Sequence, residues 1–361
     1  NDGSKDDGKT EAIALSYGDK IRYLKKENGG VASALNMGIR NMKGEYFSWL
    51  SHDDLYYPEK IEKEMQAVQS LADKTTVVQC EYDFYDMASG SLTTTNFHKY
   101  YTLEQITNSV FSVLQLQIHA CGALIHRDNF TRAGCFDETI YTVQDIELWF
   151  RMLRNRKSCF VPEALFRVRE HAAAGSRTIP SYYAETCALY IRLIKKMSLE
   201  EMERVFGSPW RFLVRMTAFI KSYGGDISVI EKMLAECSPN DSDNRNRKIL
   251  VEKLQKNRKR IVIFGAGQYG VRMHYELLKR GIEAELFLDN STEKDQKIID
   301  GLPCQLPETV LDDKDNIMVV VALRNCQSAL EQLQKLGFTN IIIRQEIDGI
   351  LTDRSRKQVK V

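Results

Sequence analysis

The run Tyr46-Phe47-Ser48-Trp49-Leu50 closes abruptly on Ser51-His52-Asp53-Asp54, then Tyr56-Tyr57-Pro58 and an acidic, amphipathic stretch. An apolar, aromatic segment of strand character that ends in paired carboxylates admits few folds. Carboxylates at the carboxyl end of a buried strand stand where open α/β sheets bind ligands. They are hard oxygen donors of the kind Mg²⁺ or Mn²⁺ takes while also holding phosphates. The same residues can form a plain strand-to-helix turn with Asp as the cap. The rest of the pattern has to decide.

That pattern alternates. Residues 10–24 read as a short helix and then a strand over 20–24, and Glu27-Asn28-Gly29-Gly30 as a turn. A helix is expected over 31–42, with Ala32, Leu35 and Ile39 on one face. Another is expected over 58–71, with Pro58 in its first turn and Ile61, Met65 and Val68 facing inward. Residues 76–80, 82–85 and 123–125 read as strands, and 145–154 as a helix. Strands alternating with helices imply a mostly parallel sheet covered on its faces. From 181 to 237 helical spacing dominates, and the polar run 238–244 reads as a linker.

The bulk properties exclude several classes. With 43% hydrophobic and 27% charged residues the chain can build ordinary globular cores, and 361 residues suggest two or three domains. A net charge of +1, with no basic stripe beyond residues 245–248 and an Arg/Lys-rich end, gives no electrostatic case for nucleic acid. Eight cysteines without a C-x-x-C pair argue against a zinc framework and suit a reducing compartment. No apolar run approaches membrane-spanning length, so a cytoplasmic protein is expected, with peripheral contact to the inner face of a membrane left open.

Four motifs in order then carry a resemblance. Asn1-Asp2-Gly3-Ser4-Lys5-Asp6-Asp7-Gly8-Lys9-Thr10 resembles the Asp-Asp-Gly-Ser-x-Asp-x-x-x-Thr loop of family 2 glycosyltransferases. The stretch from Asn28-Gly29-Gly30 to Asn36-Met37-Gly38 is similar to their Asn-x-Gly-x-x-x-Ala-x-Asn-x-Gly segment. Gly44 to Pro58 resembles their strand and Asp-x-Asp-Asp signature, and Gln144-Asp145-Ile146-Glu147-Leu148-Trp149-Phe150-Arg151 their Glu-Asp-x-Asp-Leu-Trp-x-Arg helix. Each pattern alone is weak, but four in order over residues 1–151 are specific.

The resemblance implies a GT-A fold and transfer of a sugar from a nucleoside-diphosphate sugar, UDP- or GDP-linked, to a hydroxyl of a glycan or lipid-linked acceptor, with inversion. Position by position it makes Asp53 the metal ligand for Mn²⁺ or Mg²⁺, with His171 joining the metal or diphosphate. Asp145 becomes the general base, whose structural alternative is a helix cap. Asp2 falls to the nucleotide base, and Asn28, Asn36, Ser51 and Asp54 to the donor side, where Asn36 is equally suited to bracing its helix. His98, His119, His126 and His274 have no ligand spacing and read as structural.

Three departures qualify the match. Ser51 stands where the signature has its first Asp, which lowers the expected metal affinity. Gln144 replaces a Glu, removing a negative neighbour of Asp145. Relatives begin with a strand and loop lining the nucleotide pocket, and the sequence opens after the point where that segment belongs. These departures motivate an alternative: a degenerate transferase that serves as a nucleotide-binding or scaffold protein.

A second α/β pattern follows. A strand over 260–264 leads into Gly265-x-Gly267-x-x-Gly270 and a helix over 271–280, and Asp289 ends the next strand about twenty residues on, where a ribose-binding acid belongs. These four residues form a candidate site for NAD or another nucleotide; their structural reading is a tight strand-to-helix turn. The stretch resembles the Rossmann-like domains attached to sugar-processing enzymes. The expected organisation is a transferase domain over 1–178, a helical extension and linker over 179–245, a Rossmann-like domain over 258–345 and a tail over 346–361.

Overall fold

A computed structural model describes residues 1–255 and 259–352. Residue 258, the expected start of the second α/β domain, and most of the basic tail lie outside the described residues. The chain forms two compact units: 1–97 with 103–189, and 98–102 with 190 onward.

The first unit is α/β. Its sheet runs in the order β1 (Tyr46–Ser48), β5 (Ala123–His126), β3 (Val78–Asp86), β6 (Cys159–Glu170), β2 (Leu55–Tyr56), with β4 (Leu92–Thr94) on β3. The pairing corrects the expectation of a mostly parallel sheet. β3 and β6 are parallel, whereas β1–β5, β3–β5, β2–β6 and β3–β4 are antiparallel. Helices intervene between strands, yet consecutive strands are not placed side by side in one direction, so alternation alone did not fix polarity. Residues 20–24 are also not a strand. Their contacts run instead to Asn1, whose N-terminus donates to Leu24 O and whose carbonyl accepts from Lys26 N. Extended backbone becomes a strand only where a neighbour takes up its N–H groups.

The helix Lys60–Ser70 buries Lys60, Glu64 and Val68, while Ile61, expected inside, is exposed. Lys60 and Glu64 lie one turn apart and pair at 2.6 Å with neither side chain exposed, and the Lys60 ammonium also sits over the Tyr56 ring. The pair replaces an apolar stripe at this face. Beneath it Val68, Val78, Cys80, Leu124, Leu165 and Phe166 form the core. Gly122 allows Phe166 to close in, since a Cβ there would lie 2.8 Å from its ring.

The second unit has helices at 199–206, 209–222, 228–235 and 241–254 and then a sheet in the order β12 (Ile341–Ile343), β11 (Ile317–Val321), β7 (Arg260–Phe264), β8 (Leu286–Leu288), β10 (Leu302–Gln305), β9 (Ile298–Ile299). All its pairs are parallel except β9–β10. Ile261 and Ile263 enter one core cluster and Val262 and Phe264 the other, so β7 is buried on both faces. That is why its sequence is continuously apolar rather than alternating. The polar run 238–244, expected as a linker, starts a helix: Asn240 and Asp243 form a capping box for Asp241–Leu254. Asn and Asp favour caps and loops for the same hydrogen-bonding reason.

Candidate active site

The carboxylate turn is clamped between β1 and β2. Tyr56 OH donates to Trp49 O at 2.6 Å, and Asp54 N to Ser51 O at 3.2 Å. β2 pairs antiparallel with β6, Leu55 opposite Arg167, and the register carried two residues further sets Asp53 beside Arg169. Arg169 N donates to Asp54 Oδ1 at 3.1 Å, and its guanidinium Nε to Asp53 O. Two residues beyond, His171 Nε2 lies 3.3 Å from Asp53 Oδ2. The structure therefore brings Asp53 and His171 together across 118 residues of sequence, with side chains 26% and 25% exposed.

Asp54 faces inward and is buried. Its Oδ2 accepts from the Cys121 thiol at 3.2 Å, and that sulfur accepts from Ser51 N at 3.3 Å. Cys121 N donates to His119 Nδ1 at 3.2 Å. Asp54, His119 and Cys121 offer ligand atoms within 4.8 Å of one another, a grouping that the spacing of histidines and cysteines does not announce. Its sequence signal is the short His119-x-Cys121, too common to act on. Burial pushes the thiol up to about 12, with the Asp54 charge adding to it against the Ser51 bonds. A metal there would need the thiolate. The hydrogen bonds already satisfy the group, which suits a clamp on the carboxylate turn.

Asp145 is the second residue of the helix Gln144–Leu153, whose cap position is Val143, so it is not the cap. Burial pushes its carboxyl up to about 6, against the pull of its own N–H and that of Ile146. In the same first turn Glu147 takes Arg151 in a two-pronged pair, 2.9 Å at Nε and 2.8 Å at Nη2, and Arg151 Nη2 also donates to Cys135 O at 2.7 Å. The helix start is thereby fixed to the 133–136 loop.

Phe136, in that loop, is a hub that sequence reasoning missed. Its ring lies 6.0 Å from Trp49, at the end of β1, and 6.0 Å from Trp149, on the Asp145 helix. Its backbone exchanges two bonds with Asn36: Phe136 N to Asn36 Oδ1 at 3.0 Å, and Asn36 Nδ2 to Phe136 O at 2.9 Å. Asn36 is buried and also donates to Glu138, so its amide braces the loop. The helix Gly30–Asn41, the carboxylate turn and the Asp145 helix thus share one contact.

Asp2 holds the turn that starts Gly30–Asn41. Its Oδ1 accepts from Lys26 Nζ at 2.7 Å and from Gly29 N at 3.0 Å. Burial works to raise its carboxyl, but these bonds outweigh it and hold it below the usual range. Asn28 is exposed beside it, and Gly3 passes so close that a Cβ would lie 3.0 Å from Asn28 N.

In the second unit Gly265 has φ +101°, and a Cβ on Gly270 would lie 1.9 Å from Gly265 O. Both glycines serve close packing. A Cβ on Gly267 would meet nothing within 4 Å. Asp289 spends both oxygens on protein groups: Oδ2 accepts from Ala266 N at 2.8 Å and Lys294 Nζ at 2.9 Å, and Oδ1 from Ser291 N at 3.0 Å.

Comparison with known proteins places the chain in a family. The model of glycosyl transferase family 2 matches residues 1–131. An uncharacterized glycosyltransferase of Rickettsia typhi is 46% identical over 224 residues, 62% of this chain and 70% of that relative. The minor teichoic acid biosynthesis protein GgaB of Bacillus subtilis is 28% identical over 185 residues, 49% of this chain and 20% of its own length. The solved mannosyltransferase PcManGT of Pyrobaculum calidifontis, in complex with GDP-Man and Mn²⁺, is similar with a TM-score of 0.41 at 14% identity, over 66% of this chain and 65% of that one. The chain belongs to glycosyltransferase family 2. Among the described residues no helix is long and apolar enough to cross a membrane.

Proposed function

We propose that the first unit moves a sugar from a nucleoside-diphosphate sugar to a hydroxyl of a glycan or lipid-linked acceptor, with inversion at the anomeric carbon. Family membership supports the transfer, and likeness to a teichoic acid biosynthesis protein supports a polysaccharide acceptor. One observation carries the site: a carboxylate and an imidazole, far apart in sequence, meet at 3.3 Å beside buried Asp54.

This donor set fits a divalent cation, and the nitrogen favours Mn²⁺ over Mg²⁺. Asp53 and His171 would hold the cation, whose charge would offset that of the leaving diphosphate. Asp54 holds the turn that presents Asp53. Asp145 takes the acceptor's proton; a carboxyl near 6 is ionised at neutral pH yet more basic than an ordinary Asp. Asp2, fixed by Lys26 and Gly29, addresses the nucleotide base, with Asn28 and Ser51 on the donor side. Asn36 acts through Phe136 by fixing the loop before the base helix.

Replacing Asp145 by Asn should cut transfer by about 10²–10⁴-fold while donor binding persists in calorimetry. Asp53→Ala should erase the Mn²⁺ dependence of donor binding. Unchanged turnover in the first variant removes Asp145 as base, and wild-type metal dependence in the second removes the cation site. Nucleotide binding without any transfer would favour the scaffold alternative.

A further inference from the structure

β6 divides its side chains between two faces. Phe166 and Val168 join the core with Tyr82 and Phe84 of β3, and the Phe166 and Tyr82 rings stack with centres 5.0 Å apart. By the two-residue period of a strand, Arg167, Arg169 and His171 share the opposite face. The register extends that face: Leu55 of β2 and Asp83 of β3 both lie opposite Arg167, and Tyr85 lies opposite Arg169. Asp53, which meets His171, stands two residues before Leu55. The candidate cation site is therefore one end of a strip, with Arg167 about 13 Å from His171 along the chain.

Arg167 is held from both sides without being neutralised. Its guanidinium lies 5.6 Å from the Tyr57 ring centre and 5.2 Å from that of Tyr85, and its Nε reaches the Tyr57 hydroxyl at 3.4 Å. Among the described residues its two terminal nitrogens have no hydrogen-bond partner, and no carboxylate pairs with it. An arginine serving only the fold would take Asp83, its neighbour in the register. Two neutral hydroxyls take that buried acid instead: Tyr57 OH donates to Oδ2 at 2.5 Å and Thr94 Oγ1 to Oδ1 at 2.6 Å. Tyr57, Tyr85 and Arg167 are each partly buried, and Leu55 beside them is 46% exposed. The two rings restrict the arginine in advance, so a ligand does not have to order it.

We propose that this strip is the acceptor's track and that it takes an anionic glycan. A carboxylate or phosphodiester of the chain bonds the terminal nitrogens of Arg167, Leu55 lies against a sugar ring, and the hydroxyl to be glycosylated reaches the donor beside Asp53 and His171. The inference rests on the transfer reading of the first unit and adds the acceptor's charge to it. A planar guanidinium matches two oxygens of either anion at once, which a neutral glycan does not offer.

Biolayer interferometry on the full chain would use immobilised polygalacturonate, phosphomannan and dextran, in EDTA so that no cation bridges polyanion and protein. The charged polymers should bind and dextran should not; binding of one charged polymer alone supports the site and names its anion. Arg167→Gln should weaken binding by at least about tenfold, as a charge-assisted pair of bonds is lost. Arg167→Lys keeps the charge without the fork and should fall between that variant and the wild type. Arg40→Gln, at an exposed arginine of the helix Gly30–Asn41, matches the change in net charge and should bind as the wild type does. Calorimetry with UDP and GDP plus Mn²⁺ reads the donor site separately, and its heats should persist in Arg167→Gln. Heats absent from the wild type while the charged polymers still bind would remove the transfer reading and leave the glycan site standing. The proposal is overturned if neither charged polymer binds, if dextran binds equally well, if Arg167→Gln binds as tightly as Arg40→Gln, or if Arg167→Gln loses nucleotide heats that the wild type shows.

Discussion

At the scale of single residues, Asp145 makes the sharpest claim. Its folded-state carboxyl titrates near 6 against an ordinary 3.8, so the native state holds the proton more tightly than the unfolded chain. Stability present at the acid end is therefore lost as pH rises through about 6. Asp145→Asn removes that loss. Its unfolding free energy should exceed the wild type's at pH 8 by about 1–3 kcal/mol, the difference closing as the pH falls toward 4. Equal denaturation curves at pH 8 would show the carboxyl to be well solvated. A group that weakens its own fold is what a site under catalytic demand would carry. Asp53, Asp145 and His171 could be singled out as candidates in the sequence because short patterns surround them. Phe136, His119 and Cys121 were not, since the contacts that give them meaning, Phe136 with Asn36 and Cys121 with Asp54, span 100 and 67 residues and leave no local period.

Among elements, the glycine loop of the second unit shows what spacing can and cannot say. The pattern Gly265-x-Gly267-x-x-Gly270 announced a turn between strand and helix, and the turn is there. Its glycines have different reasons. Gly270→Ala drives a methyl into Gly265 O and should cost about 3 kcal/mol or more in urea unfolding, while Gly267→Ala should be nearly silent. Similar losses in both would mean the loop is packed differently. β7 was readable as a strand from its unbroken Ile-Val-Ile-Phe run, and the structure adds that both its faces are buried. The helix Lys60–Ser70 was readable as a helix, but its buried face was not. Lys60 and Glu64 look like solvent-facing charges, and only the pairing of the two makes their burial tolerable. Strand polarity in the first sheet was likewise hidden, because apolar runs carry no direction.

For the molecule as a whole, the division of the chain is not a single cut. Residues 98–102 belong to the second unit, where Tyr101 is buried and its hydroxyl accepts from Arg215 Nη2 at 3.0 Å. Tyr101→Phe leaves a buried donor of Arg215 short of a partner, at a cost of about 1–3 kcal/mol. Hydrogen exchange should then quicken in the helices Pro209–Ser222 and Arg344–Leu351 and stay unchanged in β3 and β6. Uniform quickening would argue against the assignment of Tyr101 to that unit. Periodicity could not have revealed this, for a five-residue excursion is shorter than any repeat. The consequence is practical: severing the gene near codon 190 to obtain two standalone products would deliver Tyr101 with the wrong half. The downstream polypeptide would have to be supplied with that short peptide, in trans or by a grafted linker, to recover its native core.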